Sequence, residues 1–148
     1  MQTNHLHTVY LSLGSNIGDR KLLIKEAIGL IGKRVGQVIR QSSLIETEPW
    51  GFISPNRFLN ACIACKTPLS TREVLVTTQE IEKDMGRQEK SNSGEYHDRL
   101  IDIDILLYDN LTLREPGLTI PHPRMREREF VMKPLSEILP DIDSFSKP

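Results

Sequence analysis

Apolar residues alternate with other residues at the start of the chain and then change to a helical spacing. Residues 9–13 are apolar at every second position and are followed by the glycine-containing stretch 14–18, which predicts a strand that runs into a tight turn. From Asp19 onward, apolar residues recur three and four positions apart, which predicts an amphipathic helix over 19–33 with Asp19 as its N-cap. Two further strands are predicted from the apolar stretches 38–47 and 57–67.

The second half of the chain continues this alternation of helices and strands. Ser70 and Glu73 have the spacing of a capping box, which predicts the start of a second helix that ends at Gly86. The next predicted elements are a polar surface loop at 88–98, an apolar strand at 100–108 and a last helix at 126–139. The order β-α-β-β-α-β is typical of the split-βαβ, ferredoxin-like plan, an α+β fold with helices packed on an antiparallel sheet. We therefore expect one domain over residues 1–148.

Composition and charge argue against several classes of function. Nineteen Lys and Arg residues against twenty Asp and Glu residues leave a net charge of -1, which provides no overall positive field to hold a nucleic-acid backbone. No apolar run approaches the roughly 20 residues that cross a bilayer, and residues 1–7 lack the basic and apolar regions of a signal peptide. We therefore expect a cytoplasmic protein that binds neither nucleic acid nor a membrane.

Cys62 and Cys65 have the CxxC spacing of a redox pair or of half a zinc site. They lie in a predicted buried strand, where side chains three positions apart point to opposite faces of the sheet. We therefore interpret them as two small core residues.

Asp102 and Asp104 interrupt the strongly apolar strand predicted at 100–108. Residues two apart on a strand leave the same face, so these carboxylates lie on the order of 7 Å apart, while the intervening isoleucines take the other face. Two like charges on an apolar strand are costly unless they are neutralised, and Mg²⁺ binds carboxylate and phosphate oxygens. The alternative is that this face is simply exposed to solvent, as one face of an antiparallel sheet often is.

Basic residues that could bind phosphate lie on both sides of this strand in the sequence. They are Arg87, Arg99, Arg124, Arg126 and Arg128, together with His122, which stands between two prolines. Guanidinium groups beside a metal ion stabilise the transition state of phosphoryl transfer. Each of these residues alone could equally be a surface residue. The GxxxxGK[ST] pattern of a P-loop is absent from the sequence.

Several short motifs occur in one order along almost the whole chain. They are Leu13-Gly-Ser-Asn16, Thr47-Glu-Pro-Trp-Gly51, Phe58-Leu-Asn60, Gln79-Glu-Ile-Glu82, Gly86-Arg87, Arg99-Leu-Ile-Asp-Ile-Asp-Ile-Leu106, Pro121-His122 and Arg128-Glu-Phe130. In these motifs the chain resembles the 6-hydroxymethyl-7,8-dihydropterin pyrophosphokinase family of folate biosynthesis. The resemblance implies a ferredoxin-like fold and an ATP-dependent diphosphotransferase, which moves pyrophosphate from MgATP to the pterin hydroxymethyl group and releases AMP.

The resemblance also implies a role for each matching residue. Asp102 and Asp104 would bind two Mg²⁺ ions that hold the triphosphate of the co-substrate ATP. Nucleotide contacts would come from Gln79, Glu82, Arg87, Arg99, Ile105, Thr119, His122 and Arg128, and the catalytic groups would be both aspartates with Arg87, Arg99 and His122. The pterin would lie between Phe58 and Phe130 with its polar edge on Asn60, and Thr47, Pro49, Gly51 and Tyr96 would complete its site. A flat heteroaromatic substrate requires such stacking faces and a few fixed hydrogen bonds.

The sequence departs from the family pattern in the loop before Arg99. Many members have further arginines and a tryptophan in this loop, whereas this chain has Glu89 and Tyr96, with Lys90 and His97 as candidate replacements. Gly117 likewise stands where some members carry an arginine near the adenine. We expect the stretch 88–98 to be a lid that closes over both substrates and excludes water. The alternative is a surface loop without a function, since polar loops of this composition are common.

Two other functions fit the same residues. In a ferredoxin-like binding or regulatory module, Asp102 and Asp104 would lie on a solvated face and the arginines would be exposed. A metal-dependent phosphohydrolase would use both aspartates with His122 and release phosphate rather than AMP. An RNA-binding version of the fold is disfavoured because the chain lacks an aromatic RNA-binding motif and a basic excess. We expect a monomer whose partners are its small-molecule substrates, ATP and the dihydropterin.

Overall fold

The computed structural model describes residues 5–47, 57–86 and 100–142. The strands in these ranges are β1 (His7–Ser15), β2 (Gln37–Gln41), β3 (Ile45–Thr47), β4 (Phe58–Thr67), β5 (Asp102–Tyr108), β6 (Leu113–Glu115) and β7 (Leu118–Ile120). The helices are α1 (Arg20–Arg34), α2 (Thr71–Asp84) and α3 (Glu129–Ile138), and a 3₁₀ turn at Met125–Glu127 precedes α3. Within the described ranges, no helix combines the length and the apolar character needed to cross a membrane.

The main sheet is antiparallel and has the strand order β2-β4-β1-β5, with β3 pairing to the start of β4. Helix α1 connects β1 to β2, and β4 lies between these two strands. Helix α2 connects β4 to β5, and β1 lies between these two strands. This interleaving of two βαβ units is the split-βαβ arrangement. The predicted ferredoxin-like α+β fold is therefore confirmed.

The two faces of the sheet carry separate hydrophobic cores. Helices α1 and α2 cover one face, where residues such as Leu11, Ile63 and Ile103 are buried. Helix α3 covers part of the other face, where Cys62, Leu106 and Leu135 are buried. Strand residues alternate between these faces, as side chains on a pleated sheet must. The part of the second face that α3 leaves uncovered is where polar residues of the sheet can form a site.

Both predicted helix starts are confirmed by their caps. The side chain of Asp19 accepts a hydrogen bond of 3.2 Å from the amide of Leu22. Ser70 and Glu73 form both bonds of the capping box, with the Glu73 carboxylate accepting from the Ser70 amide at 2.8 Å. These bonds satisfy amides that have no partner within the helix.

Two predicted element boundaries were wrong. The predicted strand 38–47 is interrupted at Ser42, whose amide donates to the Cys62 carbonyl and whose hydroxyl accepts from the Cys62 amide, both at 2.9 Å. A side chain thus replaces one backbone group of the ladder, which ends β2 before β3 begins. The predicted helix 126–139 begins at Glu129, because Arg128 has extended backbone angles after the 3₁₀ turn.

A β-bulge shifts the register between β1 and β5. Tyr10 pairs with Leu107 and Leu11 pairs with Ile105, so Leu106 is an extra residue. Because of this extra residue, Leu106 and Leu107 both belong to the α3-side core, whereas Ile105 and Tyr108 both belong to the core under α1 and α2. The bulge therefore changes which face each later residue of β5 meets.

Cys62 and Cys65 are core residues, as predicted. Cys62 is buried on the α3 side of the sheet and Cys65 on the opposite side. Burial raises the pKa of the Cys62 thiol to about 12 and that of Cys65 to about 11. Both thiols are therefore protonated at neutral pH, which does not suit a redox pair or a zinc site.

Candidate active site

Two rows of paired residues cross the sheet on the same side as α3. The first row is Asn60, Gly14 and Asp102, and the second row is Cys62, Ser12 and Asp104. Directly paired residues of antiparallel strands point to the same face and have Cα atoms about 4.5–5.5 Å apart. Asn60 and Asp102 therefore lie roughly 10 Å apart on one surface, with Gly14 between them.

Gly14 leaves the sheet surface between Asn60 and Asp102 free of a side chain. A Cβ atom at this position would lie 3.1 Å from Asn60 Oδ1 and 3.4 Å from Phe58 Cδ1. A distance of 3.1 Å is closer than an ordinary van der Waals contact, so any larger residue would displace the Asn60 amide or the Phe58 ring. The absence of a side chain at Gly14 therefore leaves room for two predicted pterin-binding residues.

The side chain of Asn60 is held in one orientation by β3. Its Nδ2 atom donates to the Thr47 hydroxyl at 2.8 Å and approaches the Ile45 carbonyl at 3.4 Å. Asn60 is 2% exposed, and a buried amide fixed in this way presents its carbonyl oxygen in a defined direction. Thr47 thus supports the predicted pterin site through its side chain.

Phe58 and Phe130 lie on the same side of the sheet. Phe58 begins β4 and is two positions from Asn60, so both side chains leave the same face. Phe130 lies in the first turn of α3 and packs against the core on that face. The guanidinium carbon of Arg128 lies 5.6 Å from the centroid of the Phe130 ring, within the range of a cation–π contact. This contact helps to position the ring.

A cavity of about 290 Å³ lies beside Asp104. Its walls include four residues predicted to bind the nucleotide or its metal ions, together with Gly117 and apolar residues of α2 and β5. The four predicted residues are Asp104, Ile105, Thr119 and His122. The structure therefore brings together residues from β5, β7 and the segment after it, which are separated in the sequence.

His122 is neutral and has a defined proton position. Its backbone amide donates to the Leu106 carbonyl at 2.9 Å, which ties it to β5. Burial, together with the positive charges of Arg128 and Arg124, lowers the pKa of His122 to about 4. The Arg124 amide donates to His122 Nδ1 at 3.2 Å, so the neutral ring carries its proton on Nε2. At neutral pH, His122 is therefore a hydrogen-bond donor through Nε2.

Helix α2 supports the strand that bears both aspartates. Glu82 is 3% exposed, and its Oε2 accepts a hydrogen bond of 2.7 Å from the amide of Ile103, the residue between Asp102 and Asp104. Gln79 is half-buried and lies one turn after Leu75, which lines the cavity. The bond to Ile103 gives Glu82 a supporting role that the sequence did not suggest, and its contact with the nucleotide stays a prediction.

Some of the predicted site residues lie outside the described residues. They are Pro49, Gly51, Arg87, Tyr96 and Arg99, together with the predicted lid 88–98. Of the other arginines, Arg126 does not line the cavity, and its Nη2 donates to the Ile142 carbonyl at 3.2 Å. Arg128 is 7% exposed, and its positive charge contributes to the lowered pKa of His122.

Sequence reasoning missed the part that Gly14 plays in the site. The signal was present in the motif Leu13-Gly-Ser-Asn16, because a glycine inside a strand often marks a place where another group approaches closely. The register of β1 against β4 and β5 was needed to identify that group as the Asn60 and Phe58 side chains.

The chain is similar in sequence to known proteins. The model of the 7,8-dihydro-6-hydroxymethylpterin-pyrophosphokinase (HPPK) family matches residues 10–140. A Porphyromonas gingivalis protein named 2-amino-4-hydroxy-6-hydroxymethyldihydropteridine pyrophosphokinase is 50% identical over 133 residues, which cover 89% of this chain and 90% of that protein. A Bacillus subtilis protein of the same name is 39% identical over 135 residues, covering 90% of this chain and 79% of that protein.

The fold also matches a solved structure. A crystal structure of Plasmodium falciparum HPPK-DHPS aligns with a TM-score of 0.76 over 99% of this chain at 18% sequence identity. The chain spans 44% of that longer protein. At 18% identity this similarity shows only the fold, whereas the family model and the sequence relatives show the family. Because the family model matches residues 10–140 and the relatives are similar over about nine tenths of the chain, the chain belongs to the HPPK family.

Proposed function

We propose that the two rows of residues on the α3 side of the sheet hold the substrates of the family's reaction, in which pyrophosphate is transferred from ATP to 6-hydroxymethyl-7,8-dihydropterin. The observation that carries this proposal is the alignment of Asn60, Gly14 and Asp102 across three strands. This alignment joins a surface suited to a flat polar ring with a surface suited to metal-bound phosphates. The products are AMP and the pterin diphosphate, in the pathway of folate biosynthesis.

The transfer requires the attacking oxygen, the β-phosphorus and the leaving oxygen to lie in one line. The hydroxymethyl oxygen of the pterin attacks the β-phosphorus of ATP and forms a new P–O bond. The bond between that phosphorus and the oxygen bridging to the α-phosphate breaks, and AMP leaves with this oxygen and its electron pair. The hydroxyl proton passes to solvent. Most of the catalysis in such a step comes from positioning and from stabilisation of negative charge.

Asp102 and Asp104 fit a site for magnesium. Both are half-buried on one face of β5, Asp104 lines the cavity, and the backbone between them is held by Glu82. Carboxylate oxygens are the ligands that Mg²⁺ prefers in proteins. We assign two Mg²⁺ ions to this pair of residues, and when bound they would neutralise charge on the triphosphate.

His122 and Arg128 supply hydrogen-bond donors and positive charge at the cavity. His122 donates from Nε2 to a phosphate oxygen, because its Nδ1 atom already accepts the hydrogen bond from the Arg124 amide. Arg128 is buried and cannot lose its charge. Thr119 and Ile105 line the same cavity, where we place the nucleoside of ATP, with Gln79 and Glu82 on the adjoining helix.

The pterin ring lies between Phe58 and Phe130 in this proposal. Its polar edge meets the carbonyl oxygen of Asn60, which the bond to Thr47 holds in place. Stacking provides affinity for any flat ring, whereas the fixed amide selects one pattern of donors and acceptors. With the ring beside Asn60, the hydroxymethyl group extends across Gly14 toward Asp102.

The decisive experiment is incubation with MgATP, with and without 6-hydroxymethyl-7,8-dihydropterin, followed by measurement of AMP and phosphate. We expect AMP and pterin diphosphate in equal amounts, formed only when the pterin is present. A metal-dependent phosphohydrolase would instead release phosphate, and a binding or regulatory module would consume no ATP. Either of those results would overturn the proposal.

A further inference from the structure

Two histidines and an aspartate meet at the end of β1 opposite to the active site. His5 precedes β1, His7 is its first residue, and Asp109 follows the last residue of β5. Gly14, at the other end of β1, pairs with Asp102. At about 3.3 Å per strand residue, the group of His5, His7 and Asp109 lies roughly 20 Å from the proposed magnesium site.

The side chains of this group already approach one another closely. His7 Nδ1 and Asp109 Oδ2 are 2.6 Å apart, and the rings of His5 and His7 meet edge to face with centroids 4.5 Å apart. One potential ligand atom from each of the three residues lies within 4.8 Å of the other two. Within residues 5–47, 57–86 and 100–142, this is the one place where three His, Cys, Asp or Glu side chains converge so closely.

Two of the three residues are held in place by the backbone of the fold. Asp109 Oδ1 accepts a hydrogen bond of 2.8 Å from the Thr8 amide, and the Asp109 amide donates to the Thr8 carbonyl at 2.7 Å. Asp109 has a left-handed φ of 51°, a conformation that aspartate tolerates better than most residues. The His7 ring lies against Tyr108, with ring centroids 4.8 Å apart.

The group is also open to solvent. The His7 side chain is 28% exposed and that of Asp109 is 41% exposed, and His5 is exposed at the start of the described chain. An ion can therefore reach these residues without any rearrangement of the core. Since His5 precedes the strand, it can adjust its position more easily than the other two residues.

We propose that His5, His7 and Asp109 form a second metal site, which binds a divalent transition-metal ion such as Zn²⁺. Imidazole nitrogens favour zinc, cobalt and nickel, whereas Mg²⁺ prefers a set of oxygens. Two histidines and one carboxylate provide three ligands, and water completes a tetrahedral site. The proposed site therefore differs from Asp102 and Asp104 in the kind of ion that it selects.

The geometry requires only small movements. For metal–ligand bonds of about 2.0–2.1 Å, tetrahedral coordination places the ligand atoms roughly 3.3 Å apart. The contact between His7 and Asp109 would lengthen from 2.6 Å as the ion takes the place of the shared proton. Such an ion would link the start of β1 to the turn after β5, so its binding would stabilise the folded chain.

The test must separate this site from the magnesium site. We would use the full chain carrying Asp102→Asn and Asp104→Asn as the parent, so that the oxygen-rich site no longer competes. Zn²⁺ binding is measured by calorimetry, and Co²⁺ is added separately because tetrahedral cobalt gives a visible absorption band. We expect one equivalent of Zn²⁺ to bind to the parent and to raise its thermal midpoint.

His5→Gln is the first variant, because His5 lies outside the strand and its loss leaves the contact between His7 and Asp109 intact. We expect the Zn²⁺ affinity to fall at least tenfold and the cobalt band to weaken, with the metal-free thermal midpoint unchanged. His7→Gln tests a second ligand, and His97→Gln is the matched control, for which the parent affinity is expected. Equal Zn²⁺ affinity in the parent, His5→Gln and His7→Gln would overturn the proposal, as would loss of binding in His97→Gln alone.

Discussion

The hydroxyl of Thr47 accepts a hydrogen bond of 2.8 Å from Asn60 Nδ2 and so links strand β3 to the proposed pterin site. Thr47 pairs with Phe58 across the β3–β4 ladder, and Phe58 and Asn60 share a face of β4. One short strand therefore contributes to the position of both the stacking ring and the hydrogen-bonding amide.

Removing this hydrogen bond tests the role of Thr47. We expect Thr47→Val to weaken pterin binding by roughly 3- to 10-fold, because a neutral hydrogen bond contributes on the order of 0.5–1.5 kcal/mol. ATP affinity should stay the same, since Thr47 does not line the cavity beside Asp104. Both affinities are measurable by calorimetry. Thr47→Ser keeps the hydroxyl and should bind the pterin almost normally, so an equal loss in both variants would contradict this role.

A methyl group at Gly14 should disturb the pterin site without unfolding the sheet. We expect Gly14→Ala to weaken pterin affinity by about tenfold, because overpacking of a close contact costs roughly 1–3 kcal/mol. The matched control is Gly32→Ala, since a Cβ atom at Gly32 would meet nothing within 4 Å. That helical substitution should leave pterin affinity unchanged and stabilise the chain slightly. Unaltered pterin binding in Gly14→Ala would show that Asn60 and Phe58 do not depend on this position.

Replacement of either carboxylate of the proposed magnesium site should greatly reduce turnover. Asp102→Asn and Asp104→Asn remove charge with little change in volume, and we expect kcat for AMP formation to fall by at least 100-fold, or ~3 kcal/mol of transition-state stabilisation. The thermal midpoint should change little. Asp84→Asn provides a surface control, since Asp84 is 54% exposed and pairs with Arg34. If both site variants keep near-normal turnover at ordinary Mg²⁺ concentrations, the assignment of the ions is wrong.

The pKa of His122 predicts how stability depends on pH. Its folded-state pKa of about 4 lies below the ordinary value of 6.5, so between these values the unfolded chain binds a proton that the folded chain does not. Stability is therefore lost as the pH falls from about 6.5 to about 4, by up to ~3 kcal/mol from this group. Urea unfolding at pH 7, 5.5 and 4.5 measures the free energy of unfolding of the wild type and of His122→Gln. The contributions of other titrating groups cancel in the difference between the two proteins. A wild-type curve parallel to that of the variant would be inconsistent with a half-buried neutral imidazole.

The faces of several strand residues could be predicted from the sequence because, away from the bulge at Leu106, they depend only on alternation. Asp102 and Asp104 share one face, Cys62 and Cys65 take opposite faces, and the capping box of α2 forms as expected. The family resemblance inferred from short motifs is confirmed, and with it the reaction.

Contacts between distant parts of the chain could not be predicted in this way. The bond from Ile103 to Glu82 depends on how α2 packs beside β5. The close approach of Gly14 to Asn60 depends on the register of β1 and β4. Neither relationship leaves a periodic signal in the sequence, because each involves a single pair of residues far apart along the chain.

The bulge at Leu106 limits where this chain can change in length. Without the extra residue, every side chain on one side of it would turn to the opposite face of the sheet. Either the carboxylates of Asp102 and Asp104 would enter the apolar core under α1 and α2, or Tyr108 would leave it. Deletions and insertions of single residues should therefore destroy activity within β5, whereas the exposed segment 110–112 should accept them.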